Sequence, residues 1–278
     1  LWAIPAVWLA LGGCGDTAFD PFEESNLTYS ISGYLDASID TQFVRVTPVR
    51  GSIALGPDPF DALVMLEHLT TGRTTFLRDS LFRYTTPQDE RSERYAHNYW
   101  TTEPILPLAT YRLTVTRSDG ARSAATVTLP DTFPDPVVVG NLIRMQGIER
   151  FADVKAVYWV IDLLARQVVR HSVSYLGAIT LQEDEHRVII DRARDQANIT
   201  VALGGAPMRV LRVRVTVAAA GPGWPDLAEI DEETLALSGV ISNVEDGVGF
   251  LGGIVSKTLT LFDAGIPFDP EALPVLPR

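Results

Sequence analysis

The sequence predicts an all-β fold of two β-sandwich-like domains, with one short helix late in the second. Three observations predict it. Apolar and polar residues alternate with a period of two through much of the chain after Leu27. The alternating runs are short and are separated by turn residues. A stiff segment, Pro130-Asp131-Thr132-Phe133-Pro134-Asp135-Pro136, divides them into two groups.

In chain order, strands are expected near Thr28–Leu35, Phe43–Val49 and Ala62–Leu69. Tyr111, Leu113 and Val115 then alternate with Arg112, Thr114 and Thr116. Ser118-Asp119-Gly120 follows, a hairpin turn in which Asp-Gly tolerates positive φ. Ala125, Val127 and Leu129 form the return strand. Beyond the prolines, strands are expected at Val154–Leu163, Val168–Tyr175, Arg187–Asp191, Ile199–Leu203 and Val255–Phe262. Leu211, Val213, Val215 and Val217, alternating with Arg212, Arg214 and Thr216, make another amphipathic strand. The helix is expected from Trp224-Pro225-Asp226 to about Leu237, with proline at an early position and acidic residues in the first turns. The divisions expected are residues 27–130 for a first β domain, 131–136 for a connector, 137–262 for a second β domain and 263–278 for a proline-rich tail.

The 278 residues suit two β domains, and 46% hydrophobic against 21% charged residues suits a packed core. Net charge is −12, from 35 acidic and 23 basic residues. No basic stripe of the kind that nucleic-acid binders carry is present, so no nucleic-acid partner is expected.

Residues Leu1 to Gly13 hold no charge and read as the apolar core of a secretory leader, too short for a membrane-spanning helix, which needs about 20 residues. With no initiator Met and no basic region before it, the sequence is expected to start inside that leader. Leu11-Gly12-Gly13-Cys14 resembles the lipobox of bacterial lipoproteins, with Cys14 the residue that would be cleaved before and lipidated. Cys14 is the chain's only cysteine. The acidic segment 15–26 reads as a tether between lipid and fold. Membrane association through this lipid follows from the lipobox resemblance.

Two further regions carry a family resemblance. The first runs from Asp61-Ala62-Leu63-Val64-Met65-Leu66 through Tyr111-Arg112-Leu113-Thr114-Val115 to the Asp119-Gly120 turn and Pro130. The second is Ser242-Asn243-Val244-Glu245-Asp246-Gly247-Val248-Gly249-Phe250-Leu251-Gly252, where Asn243, Gly247, Gly249 and Phe250 match an element preceding the family's last strand. With the lipobox, these are similar to a Bacteroidota family of outer-membrane lipoproteins described only as a domain of unknown function. Its genes often lie beside TonB-dependent receptors. The resemblance implies a lipid-anchored cell-envelope protein at the outer membrane, on its periplasmic or its surface face. It also implies an accessory or binding role in TonB-dependent uptake, with a TonB-dependent receptor or its substrate as partner. No catalytic residue comes with the resemblance, and a non-enzymatic role is expected. The first domain is also similar to the small Ig-like or transthyretin-like modules of envelope proteins. An envelope hydrolase acting on glycan or peptide, with a site assembled from loops, is the alternative, as is a structural or adhesive surface protein.

Gly247-Val248-Gly249-Phe250-Leu251-Gly252 fits the spacing G-x-G-x-x-G, but strand-like residues follow it where a nucleotide site needs a helix. The glycines are read instead as bends or a bulge before a last strand, and no cofactor is expected. Glu183-Asp184-Glu185-His186 reads as a solvated hairpin tip, and His68, His97 and His171 are scattered, so no metal site is expected. Candidate contact residues are aromatic. In Arg94-Tyr95-Ala96-His97-Asn98-Tyr99-Trp100, the residues Tyr95, Tyr99 and Trp100 offer flat apolar faces with polar edges. On a loop they would form a ligand platform; the alternation favours a strand with Tyr95 and Tyr99 on one face. Trp224, between Gly223 and Pro225, is a second exposed-aromatic candidate, whereas Trp159 reads as core.

Overall fold

The computed structural model describes residues 27–49, 57–86, 89–225 and 241–266. The expected leader, Cys14 and tether, most of the expected helix at 224–237 and most of the tail lie outside them. The fold is all-β, and the strands of the described residues form three sheets; they are numbered in chain order. The large sheet has eight strands in the order β12 (Gln167–Ser174), β11 (Phe151–Asp162), β15 (Met208–Ala220), β17 (Gly247–Asp263), β1 (Tyr29–Asp36), β2 (Gln42–Pro48), β6 (Asp89–Thr101), β5 (Arg78–Thr86). A five-stranded sheet follows the order β16 (Val244–Glu245), β8 (Arg122–Thr128), β7 (Thr110–Thr116), β3 (Leu63–His68), β4 (Arg73–Phe76). A four-stranded sheet follows β13 (Thr180–Gln182), β14 (Glu185–Ile189), β10 (Leu142–Met145), β9 (Val137–Val139).

The period-two pattern builds two cores on the large sheet. In the first, Tyr29, Ile31 and Leu35 of β1 and Val44 and Val46 of β2 meet Val64, Leu66, Tyr111, Leu113 and Val115 of the five-stranded sheet. In the second, alternate residues of β11 (Val154, Ala156, Tyr158) and β15 (Val213, Val215, Val217) meet Ile143, Met145 and Val188 of the four-stranded sheet. Burying each such aliphatic side chain stabilises the fold by roughly 1.5–3 kcal/mol. Between the cores the segment 129–136 has no regular structure, and its Phe133 is buried in the second.

One strand belongs to both halves. From Gly247 to Ile254, β17 runs parallel to β1; from Ile254 to Asp263 it runs antiparallel to β15. Every other strand pairing among the described residues is antiparallel. Leu251 of β17 enters the first core and Val255 the second. At the handover, β1 ends on Asp36, a buried carboxylate that accepts from the backbone N–H groups of Ser38 and Ser256 and from Ser256 Oγ at 2.6 Å. Asn243 fastens the entry to β17: its amide Nδ2 donates to the Leu251 carbonyl and its Oδ1 accepts the Leu251 N–H, at 2.8 and 2.9 Å.

The structure corrects two local expectations. Gly247 to Gly252 are not bends before the last strand but the strand itself. Glycine is needed there for close approach. At Gly249 φ is +104°, and a Cβ would stand 2.2 Å from the Ile31 carbonyl oxygen; at Gly252 it would stand 2.3 Å from the Trp224 ring. The second correction concerns Ile199–Leu203. These residues lie not in a strand but in and just beyond an α-helix, α1 (Arg192–Ala202). Asp191 caps it by accepting the Arg194 N–H at 3.0 Å. Only Asp195 and Ile199 of the helix are buried, so it carries little of the apolar periodicity that reveals a helix in sequence.

Besides Ile199, which enters the second core, what holds α1 down is polar. Tyr158 and Tyr175 both donate their hydroxyls to Asp195 Oδ2, at 2.6 and 2.5 Å, in the interior. Arg194 lies 3.5 Å from the other oxygen. Tyr175 also accepts the Asp191 N–H, so one phenol joins cap and pin. Burial, reinforced by the bond to Asp195, pushes the Tyr175 phenol from 10.0 up to about 12 and raises Tyr158 as well.

Two outcomes are expected. Gly249→Ala loses about 3 kcal/mol or more in urea unfolding, because a backbone clash adds to strain, whereas Gly265→Ala loses only about 1 kcal/mol, its φ being +69° with nothing near. The fold favours the neutral Tyr175 phenol, so that stabilisation is intact below the ordinary value of 10.0 and is lost as pH rises toward 12. Alkaline unfolding followed at 295 nm then shows a late-ionising tyrosine, and Tyr175→Phe flattens the fall in stability over that window.

Candidate functional site

The aromatic run 94–100 lies in strand β6, and its alternation separates the candidates. Tyr99 is 4% exposed and packs in the first core, edge-on to Phe60. It is corrected as a contact residue: a side chain in the core cannot meet a partner. Burial, the larger cause, and the nearby Asp79 hold its phenol well above the ordinary tyrosine value. Tyr95 is half-buried on the same side of the strand, next to buried His97, whose Nδ1 lies 2.7 Å from Asp79. Trp100 points the other way, to the side of the large sheet that faces away from the core.

On that side the registers of five strands place a row. Gly252 of β17 pairs with Tyr34 of β1. Tyr34 follows Gly33, the partner of Val44, and so stands beside Phe43 of β2. Phe43 pairs with Trp100 of β6, and Trp100 with Arg78 of β5. A parallel row runs Phe250, Ser32, Arg45, Asn98, Ser80. Tyr34 and Phe43 are 49% and 47% exposed, and Phe82, one step further along β5, is 44% exposed. The Phe43 and Phe82 rings meet edge-to-face at 6.4 Å. Trp224, the other sequence candidate, joins the end of the row: half-buried, its indole lies against Gly252 and edge-on to Phe250 at 5.5 Å. Arg150 fixes its backbone, donating from Nη1 to the carbonyls of Pro222 and Trp224.

Two guanidinium groups are built into the surface. Arg78 lies over the Trp100 ring, 5.5 Å from its centroid, a cation–π contact. Arg45 donates Nε to Asn98 Oδ1 at 3.1 Å. Neither has a carboxylate within ion-pair distance among the described residues. A chain of net charge −12 thus presents here an aromatic surface with local positive charge. Chemically, the arrangement can stack flat apolar faces and pair with anions through Arg forks.

Sequence reasoning located Trp100 and Trp224 but missed Tyr34, Phe43, Phe82, Arg45 and Arg78. A signal existed in Phe43-Val44-Arg45-Val46: with Val44 and Val46 inward, Phe43 must face out.

The acidic run 183–186 is taken up in a hairpin tip. Glu183 and Asp184, with φ of 50° and 62°, turn the hairpin between β13 and β14, while Glu185 pairs with Arg187 at 2.8 Å and His186 rests on Phe151. Among the described residues no three His, Cys, Asp or Glu are grouped to hold a metal ion. A recess of about 180 Å³ beside β3 and β4 contains Arg73 and Glu103, but these pair with each other at 3.0 Å. Among the described residues no helix is long and apolar enough to cross a membrane.

Neither a scan of protein-family models nor a search of curated proteins finds a match to this chain.

The two neighbouring aromatics are expected to behave oppositely. Tyr99→Ala costs about 3–5 kcal/mol, as for a large buried ring, and Trp100→Ala about 1 kcal/mol or less. Urea unfolding of both variants measures the difference.

Proposed function

We propose that this chain is a lipid-anchored binding component of the bacterial cell envelope, held at the outer membrane through Cys14. It would act in TonB-dependent uptake, beside a TonB-dependent receptor, by binding and not by covalent chemistry. The observation that carries this reading is the row of exposed Tyr34, Phe43 and Arg78 with half-buried Trp100, a preformed contact surface on a stiff sheet. Exposed aromatic patches of this kind mark interaction sites, and Trp, Tyr and Arg dominate binding hot spots. The leader and lipobox resemblance support the anchoring, and the family resemblance supports the receptor. Confinement to the membrane raises the effective concentration of the face near its partner, so even a modest intrinsic affinity suffices.

Expressed with its leader and a C-terminal tag, the protein is expected in the outer-membrane fraction, and Cys14→Ser moves it to the soluble fraction. Pull-down of the lipidated protein at native expression is expected to recover a TonB-dependent receptor. Phe43→Ser with Trp100→Ala is expected to lose it. A soluble unsubstituted protein, or recovery of no receptor, would overturn the reading.

A further inference from the structure

We infer that the row across β17, β1, β2, β6 and β5 is a binding face for a glycan chain bearing carboxylates. This deepens the binding role proposed above and rests on it.

The first argument is backbone saturation. Strands β1, β2 and β6 each have a strand on both sides, and along the row the ladders pair Ser32 with Arg45, Phe43 with Trp100 and Trp100 with Arg78. A peptide that recognises a sheet by adding a strand needs a free edge, and the centre of this row has none. Recognition must come from side chains standing up from the sheet.

The second argument is what those side chains are. Tyr34 and Phe43 offer exposed rings on neighbouring strands about 4.8 Å apart, and Phe82 adds a third on β5, two strands from β2. The apolar C–H faces of sugar rings stack on such surfaces. Ser32, Ser80 and Asn98, in the adjoining row, supply short donors and acceptors of the kind that match sugar hydroxyls. The third argument is charge. Arg78 is held by the Trp100 face and Arg45 by Asn98. Arg45 makes no other hydrogen bond to the described residues, which leaves its terminal amino groups for a carboxylate. Two arginines set among aromatics, with no carboxylate partner among the described residues, select an anionic chain over a neutral one, against the overall charge of −12.

The test is titration of the full-length protein with galacturonic acid hexamer, followed by tryptophan fluorescence and calorimetry. Maltohexaose is the neutral comparison, and poly-glutamate is the acidic peptide. The hexamer is expected to bind and to weaken with added salt. Arg45→Gln with Arg78→Gln, both exposed positions, is expected to weaken binding about tenfold, or about 1.4 kcal/mol, with an unchanged melting temperature. Phe43→Ser is expected to weaken it as well, which keeps the test independent of the arginines. Absence of hexamer binding, equal binding of maltohexaose, or binding of poly-glutamate alone would overturn the inference. Receptor capture that still depends on Phe43 and Trp100, without hexamer binding, would overturn this inference and leave the envelope reading standing. Hexamer binding without receptor capture would overturn the receptor partnership alone and leave the binding role, and this face, standing.

Discussion

The backbone ladder of β17 is the interaction on which the rest of the molecule depends. Its first half completes the sheet against β1 and its second half completes it against β15, with Ile254 paired to both. Without that strand β1 would be an unpaired edge, the first core would lack Leu251, and the second would lack Val255. The strand can lie so close to its neighbours only because glycine fills its crowded positions, and it is fixed in place by Asn243 at one end and the Asp36 carboxylate at the handover.

This arrangement also builds the candidate binding surface. A five-strand row needs the residues of β17 and β1 in register, and β1 is in register with β2 and β6 by antiparallel pairing. The Trp224 indole rests where Gly252 leaves room for it. Sheet stiffness then acts as preorganisation: the rings and guanidinium groups stand at spacings set by the backbone and lose little freedom when a partner arrives.

The fold class was legible because it lies in short-range alternation. Tyr111, Leu113 and Val115 are buried as their spacing requires, and Asp119-Gly120 makes its turn with Gly120 at φ +89°. The candidate binding face was only half legible. Which strands neighbour β1 is set by pairings between residues far apart in the chain, and no local pattern announces that Tyr34, Trp100 and Trp224 share one side. Helix α1 was misread for a related reason. Its anchor is a buried carboxylate between two tyrosines, so its hold on the core is a hydrogen-bond network and not an apolar stripe.

The parallel pairing of β1 with β17 has a kinetic side. Asp36 and Ser256 are 220 residues apart, so the contact that closes the first half forms only after nearly all the described chain is present. Closing so long a loop is slow, and during that interval β1 offers an open edge to any other extended chain. During synthesis the N-terminal half therefore waits, incomplete, for a partner that emerges last, and it is in this interval that a chaperone would be most useful.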